Sequence, residues 1–210
     1  INFHIKKKLV VPLFFCPFFG YTATTITLYL SYNYISSGMA TSLLYLYPVL
    51  VMLFSFFVLH ENMRFMKWFA LVSSLVGIYL ITDPGSSHFS FIGVSLATGA
   101  AEFCAIYTLS LNHTQLKNLN SFLIAFYSCF VEAIVSLIVI VMQVRWPITV
   151  TFDGIKYTSL VAILCTFFAL ILFIKGAQSI GSANASIVCT LEPVVSLLAG
   201  IIFLNELISW

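Results

Sequence analysis

The stretch Ile35-Ser36-Ser37-Gly38-Met39-Ala40-Thr41-Ser42-Leu43-Leu44-Tyr45-Leu46-Tyr47-Pro48-Val49 runs on through Leu53 and Leu59 to Glu61. It returns 145 residues later as Ile180-Gly181-Ser182-Ala183-Asn184-Ala185-Ser186-Ile187-Val188-Cys189-Thr190-Leu191-Glu192-Pro193-Val194, through Leu198 and Leu204 to Glu206. Nine of 27 aligned positions are identical without a gap, and they include a mid-segment proline and a terminal glutamate, residues that substitute poorly for others. Each copy is apolar enough to cross a bilayer. An odd number of crossings leads from one to the other, so the copies are expected to run in opposite directions. Inverted duplication of this kind is characteristic of secondary transporters.

Working outward, composition agrees with a life in lipid. Hydrophobic residues make up 61% of the chain and charged ones 8%, with mean hydropathy +1.07, which excludes a soluble domain of 210 residues. Segments of spanning length are read at residues 9–32, 39–59, 65–82, 91–111, 122–142, 155–174 and 183–204. None alternates with the period of a membrane barrel strand, so helices must satisfy the backbone. The expected fold is an all-α polytopic membrane protein of about seven transmembrane helices. Placing the N-terminus in the cytoplasm puts Lys6, Lys7, Lys8, Arg64, Lys67, Lys117 and Lys175 inside and only Arg145 and Lys156 outside. The turn Asp83-Pro84-Gly85-Ser86-Ser87 and the Trp146-Pro147 stretch then face outward.

Cys16, Cys104, Cys129, Cys165 and Cys189 all fall within spans and form no CxxC pair, so they read as packing residues without a disulfide framework. His4, His60, His88 and His113 lie at loops or span ends, and no two share a helix face at ligand spacing, so no metal site or cofactor is expected. Pro12, Pro17 and Gly20 are expected to kink the first span, with Thr22, Thr24, Thr25 and Thr27 re-satisfying its backbone. A start at Ile1 and an end four residues beyond Glu206 suggest a chain cut from a longer one.

A span ending in Pro48, a dozen mostly apolar residues, Glu61 at the exit and a following span with Gly77 resembles the EamA-type domain of the drug/metabolite transporter superfamily, and Pro193 to Glu206 repeats the pattern. The resemblance implies ten helices in two five-helix inverted halves. On that scale this chain would hold helices three to nine, as an incomplete first repeat at residues 1–82 and an incomplete second at 83–210, without helices one, two and ten. It also implies cytoplasmic termini, in agreement with the Lys and Arg distribution.

Three carboxylates lie well inside spans: Glu102, Glu132 and Glu192, with no Lys or Arg at comparable depth. Each costs about 2.5–3.5 kcal/mol on insertion scales when ionised, so it should face a cavity or a partner. All three are candidates for proton coupling. Ser121, Ala125, Ser128, Glu132 and Ser136 share one helix face, as do Ser95, Thr98, Glu102 and Ala105, and as do Ala185, Cys189, Ser196 and Ala199 beside Glu192. Such small, polar stripes serve helix packing equally well. Glu102, after Gly99-Ala100-Ala101, is also similar in position to the membrane-embedded Glu of the small multidrug resistance transporters. Glu192 and its repeat equivalent Tyr47 precede the paired prolines Pro193 and Pro48, where a lost backbone donor frees a carbonyl one turn earlier.

Tyr45, Tyr47, Glu102, Tyr107, Asn184 and Glu192 are therefore the candidate substrate-binding residues. Pro48, Pro193, Glu61 and Glu206 are assigned structural duties. No Ser-His, HExxH or paired-Asp constellation sits at span depth, so an enzyme is not expected. The leading reading is a secondary transporter of small organic solutes working by alternating access, with export the commoner direction among similar proteins. The alternative is a seven-helix receptor or scaffold. Absence of intramembrane Lys or Arg argues against strongly anionic substrates and leaves amino acids, metabolites and drug-like cations open. Expected partners are the solute, the lipid bilayer and a possible second copy, but no nucleic acid. The expected location is a bacterial cytoplasmic membrane.

Overall fold

The structure, a computed structural model, describes residues 7–60, 90–143 and 151–195, with isolated positions at 65, 68, 69, 72, 73, 76, 198 and 202. Every regular element among the described residues is helical. Among the described residues, five helical stretches are long and apolar enough to cross a membrane: Val11–Ser31, Ser37–Phe57, Phe91–Asn112, Ser121–Met142 and Phe152–Ile180. Each matches an expected span within a few residues, except that the last is longer at both ends than 155–174. Of the two other expected spans, 183–204 is described as helix chiefly in its first part, and in 65–82 only residues 65, 68, 69, 72, 73 and 76 are described, all helical. Glu61, Glu206, the Asp83 turn and the Trp146-Pro147 stretch lie outside the described residues.

The first crossing is built as α1 (Lys7–Cys16), a widened π-helical turn (Pro17–Thr22) and α2 (Ala23–Ser31). Pro17 has no N–H to give, and the ladder opens where the sequence predicts a kink. Thr24, Thr25 and Thr27 then bond back to the carbonyls of Gly20, Tyr21 and Ala23 at 2.7, 3.2 and 2.7 Å. The second crossing is α3 (Ser37–Leu44) and α4 (Tyr47–Phe57), opened by Ser36, whose hydroxyl accepts from the Met39 N–H at 3.3 Å. Next come α5 (Phe91–His113) and a short 3-10 turn (Gln115–Asn118), in which the Thr114 side chain accepts from Leu116 N–H. There follows α6 (Ser121–Gln143), where Asn120 Oδ1 accepts from Phe122 N–H. The last long crossing is α7 (Phe152–Val161), a second wide turn (Ala162–Phe168) and α8 (Ala169–Ile180). Gly181, at φ 89°, turns the chain into α9 (Ser182–Cys189) in a backbone conformation that glycine, lacking a Cβ, adopts at little cost.

α5 is the central post. It packs against α2, α3, α4, α8, α9 and the first wide turn. Its buried face is made of small residues, Ala97, Ala100, Ala101 and Ala105, so neighbouring backbones approach closely, as membrane helices require. The Thr24 hydroxyl reaches the Ala100 carbonyl at 3.3 Å.

Contacts along α5 give the sense of the two copies. Ile35 and Ala40 of the first copy cluster with Ala97, and a Cβ on Gly93 would stand 2.7 Å from Ile35 Cγ2. Further on, Phe54, Val58 and Leu59 line a groove with Ile106 and Leu109. The first copy thus runs parallel to α5. The second copy begins at the other end, where the Ser182 hydroxyl donates to the Thr108 carbonyl at 2.6 Å and Gly181 lies beside Asn112. It then meets Cys104 through Cys189. The two copies cross in opposite directions, as the repeat predicts.

Four of the described lysines expected inside also gather at one end of the bundle. α1, which opens with Lys7 and Lys8, packs on the Gln115–Asn118 turn that carries Lys117. Lys175 lies one helical turn before Gln178, whose amide donates to the Leu116 and Leu119 carbonyls at 2.8 and 3.1 Å and whose oxygen accepts from Ser121 at 2.8 Å. Lys156 starts the same crossing at the opposite end.

Candidate functional site

Both copies break at the same place. In the first, α3 ends at Leu44, Tyr45 and Leu46 form a turn, and α4 restarts at Tyr47. In the second, α9 ends at Cys189, Thr190 and Leu191 form the turn, and helix restarts at Glu192, so every boundary repeats the 145-residue offset. Leu46 N–H bonds Leu43 O at 3.1 Å, while Thr190 and Leu191 N–H bond Ile187 and Val188 O at 3.1 Å. These tightened turns precede Pro48 and Pro193, which offer no N–H to the carbonyls of Leu44 and Cys189. Unfulfilled main-chain acceptors inside a membrane are tolerated where they line a site.

The two breaks face each other. Tyr47 packs with Val51, Met52, Ala101, Ala105 and Ala183, and its hydroxyl lies near the Cys189 thiol. The Tyr45 hydroxyl is in the same relation to the Glu192 carboxyl. Cys104 of α5 lies alongside Cys189 and Glu192. Tyr47 is buried, Tyr45 and Cys189 are partly buried, and Glu192 is exposed, so the cluster has an open side at the acid. It offers phenolic hydroxyls, a carboxyl group and two carbonyls without proline partners, a set rich in acceptors and suited to solutes bearing N–H or cationic groups.

A second polar cluster sits on the other side of α5. Tyr107 is fully packed, its hydroxyl 3.1 Å from Ser128 of α6 and its ring 5.7 Å from that of Tyr21. Glu132, one turn beyond Ser128 and half-buried, lies near the hydroxyls of Thr25 and Tyr21 on the first crossing. The expected stripe is the inner face of α6, with Ala125 and Ser128 buried and Ser121, Glu132 and Ser136 partly so.

The remaining expectations fare differently. Ser95 and Glu102 are exposed, and only Ala105 of that stripe is buried. The inward face of α5 is instead Ala97, Ala100, Ala101 and Ala105, one residue round from Glu102. Small residues populate both faces, so spacing alone cannot choose between them. Asn184 spends its amide on the Ile180 carbonyl at 2.7 Å, bracing the start of α9. Ser196 and Ala199 lie outside the described residues. Cys104, unassigned by the sequence reading, joins the break cluster, and Gln178 emerges as a structural pin. A groove lined by Val11, Phe14, Phe15, Phe18, Phe19 and Val131 is almost wholly apolar and holds none of the candidate residues.

Antiparallel broken helices around a small-residue post define a polytopic membrane protein of the transporter-like, inverted-repeat type. The chain belongs to the EamA-like transporter family, whose model matches residues 2–83 and 91–210. It is similar to the uncharacterized transporter YvbV of Bacillus subtilis (strain 168), 28% identical over 182 residues that cover 83% of this chain and 57% of the relative. An uncharacterized transporter of Archaeoglobus fulgidus is 26% identical over 202 residues, covering 96% of this chain and 72% of that one. The uncharacterized transporter YwfM of Bacillus subtilis is 25% identical over 166 residues, covering 77% and 54%. The chain thus spans little more than half the length of its two Bacillus relatives. One solved crystal structure has the same fold, with TM-score 0.75 and 16% identity, covering all of this chain and 73% of that one.

Proposed function

We propose that this chain serves a secondary transporter that moves a small organic solute across the membrane by alternating access, with the solute held between the two facing helix breaks. The observation that carries the reading is the recurrence of the break at Tyr45–Leu46 and Thr190–Leu191 in antiparallel copies that meet beside Ala101 and Ala105. Short helix halves hinged at a proline can tilt independently, and a site between two such hinges can be closed from either side in turn. The solute is neutral, zwitterionic or cationic, because the cluster offers acceptors and no fixed positive charge. Amino acids, metabolites and drug-like cations fit that description, with efflux the working direction. The bilayer and the solute are its partners, and no catalytic step is assigned. The clustering of Lys7, Lys8, Lys117 and Lys175 at one end supports a cytoplasmic N-terminus.

The test is counterflow in proteoliposomes. The purified protein is loaded with a panel of solutes and exchange of labelled solute is followed. At least one neutral or cationic solute is expected to exchange, and Tyr47→Phe and Glu192→Gln are expected to weaken its exchange. Exchange that is unaffected in both variants would refute the placement of the site.

A further inference from the structure

We infer that Glu132, with Tyr21 and Thr25, forms a proton-binding site distinct from the helix breaks, and that its protonation acts on the wide turn Pro17–Thr22 of the first crossing. What the bound proton drives rests on the transporter reading; the site itself does not.

The argument begins with hydrogen counts. Glu132 projects from the inner face of α6 to the first crossing, where Tyr21 lies inside the wide turn and Thr25 lies one turn later on α2. The other titratable groups facing it are Cys129 on its own helix and, behind Tyr21, Tyr107 of α5. No Lys or Arg occurs in residues 9–32, 91–111 or 122–142, so no cation is at hand along these spans to hold a permanent carboxylate. The hydroxyl groups of Tyr21 and Thr25 are the ones brought to the acid by the first crossing, and each carries one proton.

In the structure the Thr25 hydroxyl donates to the Tyr21 carbonyl at 3.2 Å. A neutral Glu132 is compatible with that arrangement, because its O–H can donate to Thr25 Oγ1 while Thr25 keeps its own donation. An ionised Glu132 only accepts, and recruiting Thr25 as a donor withdraws the hydroxyl from the Tyr21 carbonyl. Tyr21 can serve one oxygen of the carboxylate without disturbing the turn, so loss of the proton acts on the wide turn through the second oxygen, which competes with the Tyr21 carbonyl for the Thr25 hydroxyl. That turn is where the ladder is already loosened by Pro17 and by π-helical spacing. It also presses on α5, since Gly20 abuts Tyr107, and Cys104 stands on α5 three residues before Tyr107, against the breaks. A shift of the turn is passed to the solute site through one rigid helix.

The experiment is infrared difference spectroscopy on the purified protein in lipid, cycled between acidic and alkaline buffer without any solute. A protonated-carboxyl C=O band that appears and disappears with pH is expected. One component of that band should be missing from Glu132→Gln, present in Glu102→Gln, and shifted in frequency in Thr25→Val and Tyr21→Phe. A Glu132→Gln difference spectrum identical to that of the wild type, or a component that Thr25→Val and Tyr21→Phe both leave unshifted, would overturn the assignment. Helical circular dichroism confirms that each variant is folded. In proteoliposomes, Glu132→Gln is expected to keep counterflow but lose accumulation driven by a pH gradient; accumulation at the wild-type level would overturn the coupling. A wild type that shows the band yet moves no solute would sink the transporter reading and leave the proton site standing.

Discussion

Gly20 and Tyr107 touch so closely that a Cβ on the glycine would stand 2.5 Å from the Cβ of the tyrosine. Real carbons do not approach to that distance, so Gly20→Ala must push α5 off the first crossing. Overpacking of this kind costs about 1–3 kcal/mol. A lower thermal midpoint in detergent is expected for Gly20→Ala. Gly99→Ala, on the same post with nothing within 4 Å of its would-be Cβ, should be neutral or gain up to about 1 kcal/mol from helix propensity. Equal midpoints for the two variants would contradict the close contact.

Gln178 ties three segments together, through Leu116 O, Leu119 O and Ser121 Oγ. Gln178→Leu keeps the apolar bulk but leaves three part-buried partners without their bonds, at about 1 kcal/mol or somewhat more. The expected result is reduced thermal stability with solute affinity unchanged in the protein that remains folded, read by unfolding curves and by counterflow at low temperature.

The hydroxyl groups at the first break should matter to the solute. Tyr45→Phe and Tyr47→Phe are each expected to weaken apparent affinity by roughly tenfold, equivalent to about 1.4 kcal/mol. Tyr29→Phe, exposed at a span end, should change nothing. The measurement is competition against labelled solute in proteoliposomes.

Opposite directions of the two copies can be checked by thiol cross-linking in a background with the five cysteines replaced. Tyr34→Cys with Ser90→Cys, one turn before Gly93, which abuts Tyr34, should be bridged by a short bismaleimide, as should Ser182→Cys with Asn112→Cys. Tyr34→Cys with Asn112→Cys, at opposite ends of α5, should not. Bridging of that last pair would mean that the first copy does not run parallel to α5.

Much of this arrangement was legible in the amino-acid order. The identities around Pro48 and Pro193 mark the duplication, and proline chemistry foretells a break beside each. The wide turns were not readable as a repeat. Pro17–Thr22 and residues 162–167 occupy equivalent places at the same offset yet share no identity over six positions, because a loosened ladder can be reached through a proline or through other side chains. The stripe through Glu132 was correct for a physical reason: on α6 the small residues lie on one side and bulky ones such as Phe126, Phe130 and Leu137 on the other. On α5 alanines surround Glu102, and the pattern has no unique inner side. Gln178 escaped notice because nothing in its local sequence reveals partners about 60 residues away.

The widened turns also carry one supernumerary residue each, absorbed locally so that the helix resumes its course beyond them. Leu13 and Pro17 on one side and Ser31 on the other stay buried together despite the bulge between them. Excising a single amino acid from residues 17–22, or from 162–168, would then leave a regular and slightly shorter rod with its wet and greasy sides unrotated. Pliability and facial alignment are thus separable in this crossing, and trimming one link from the chain would remove the first while sparing the second.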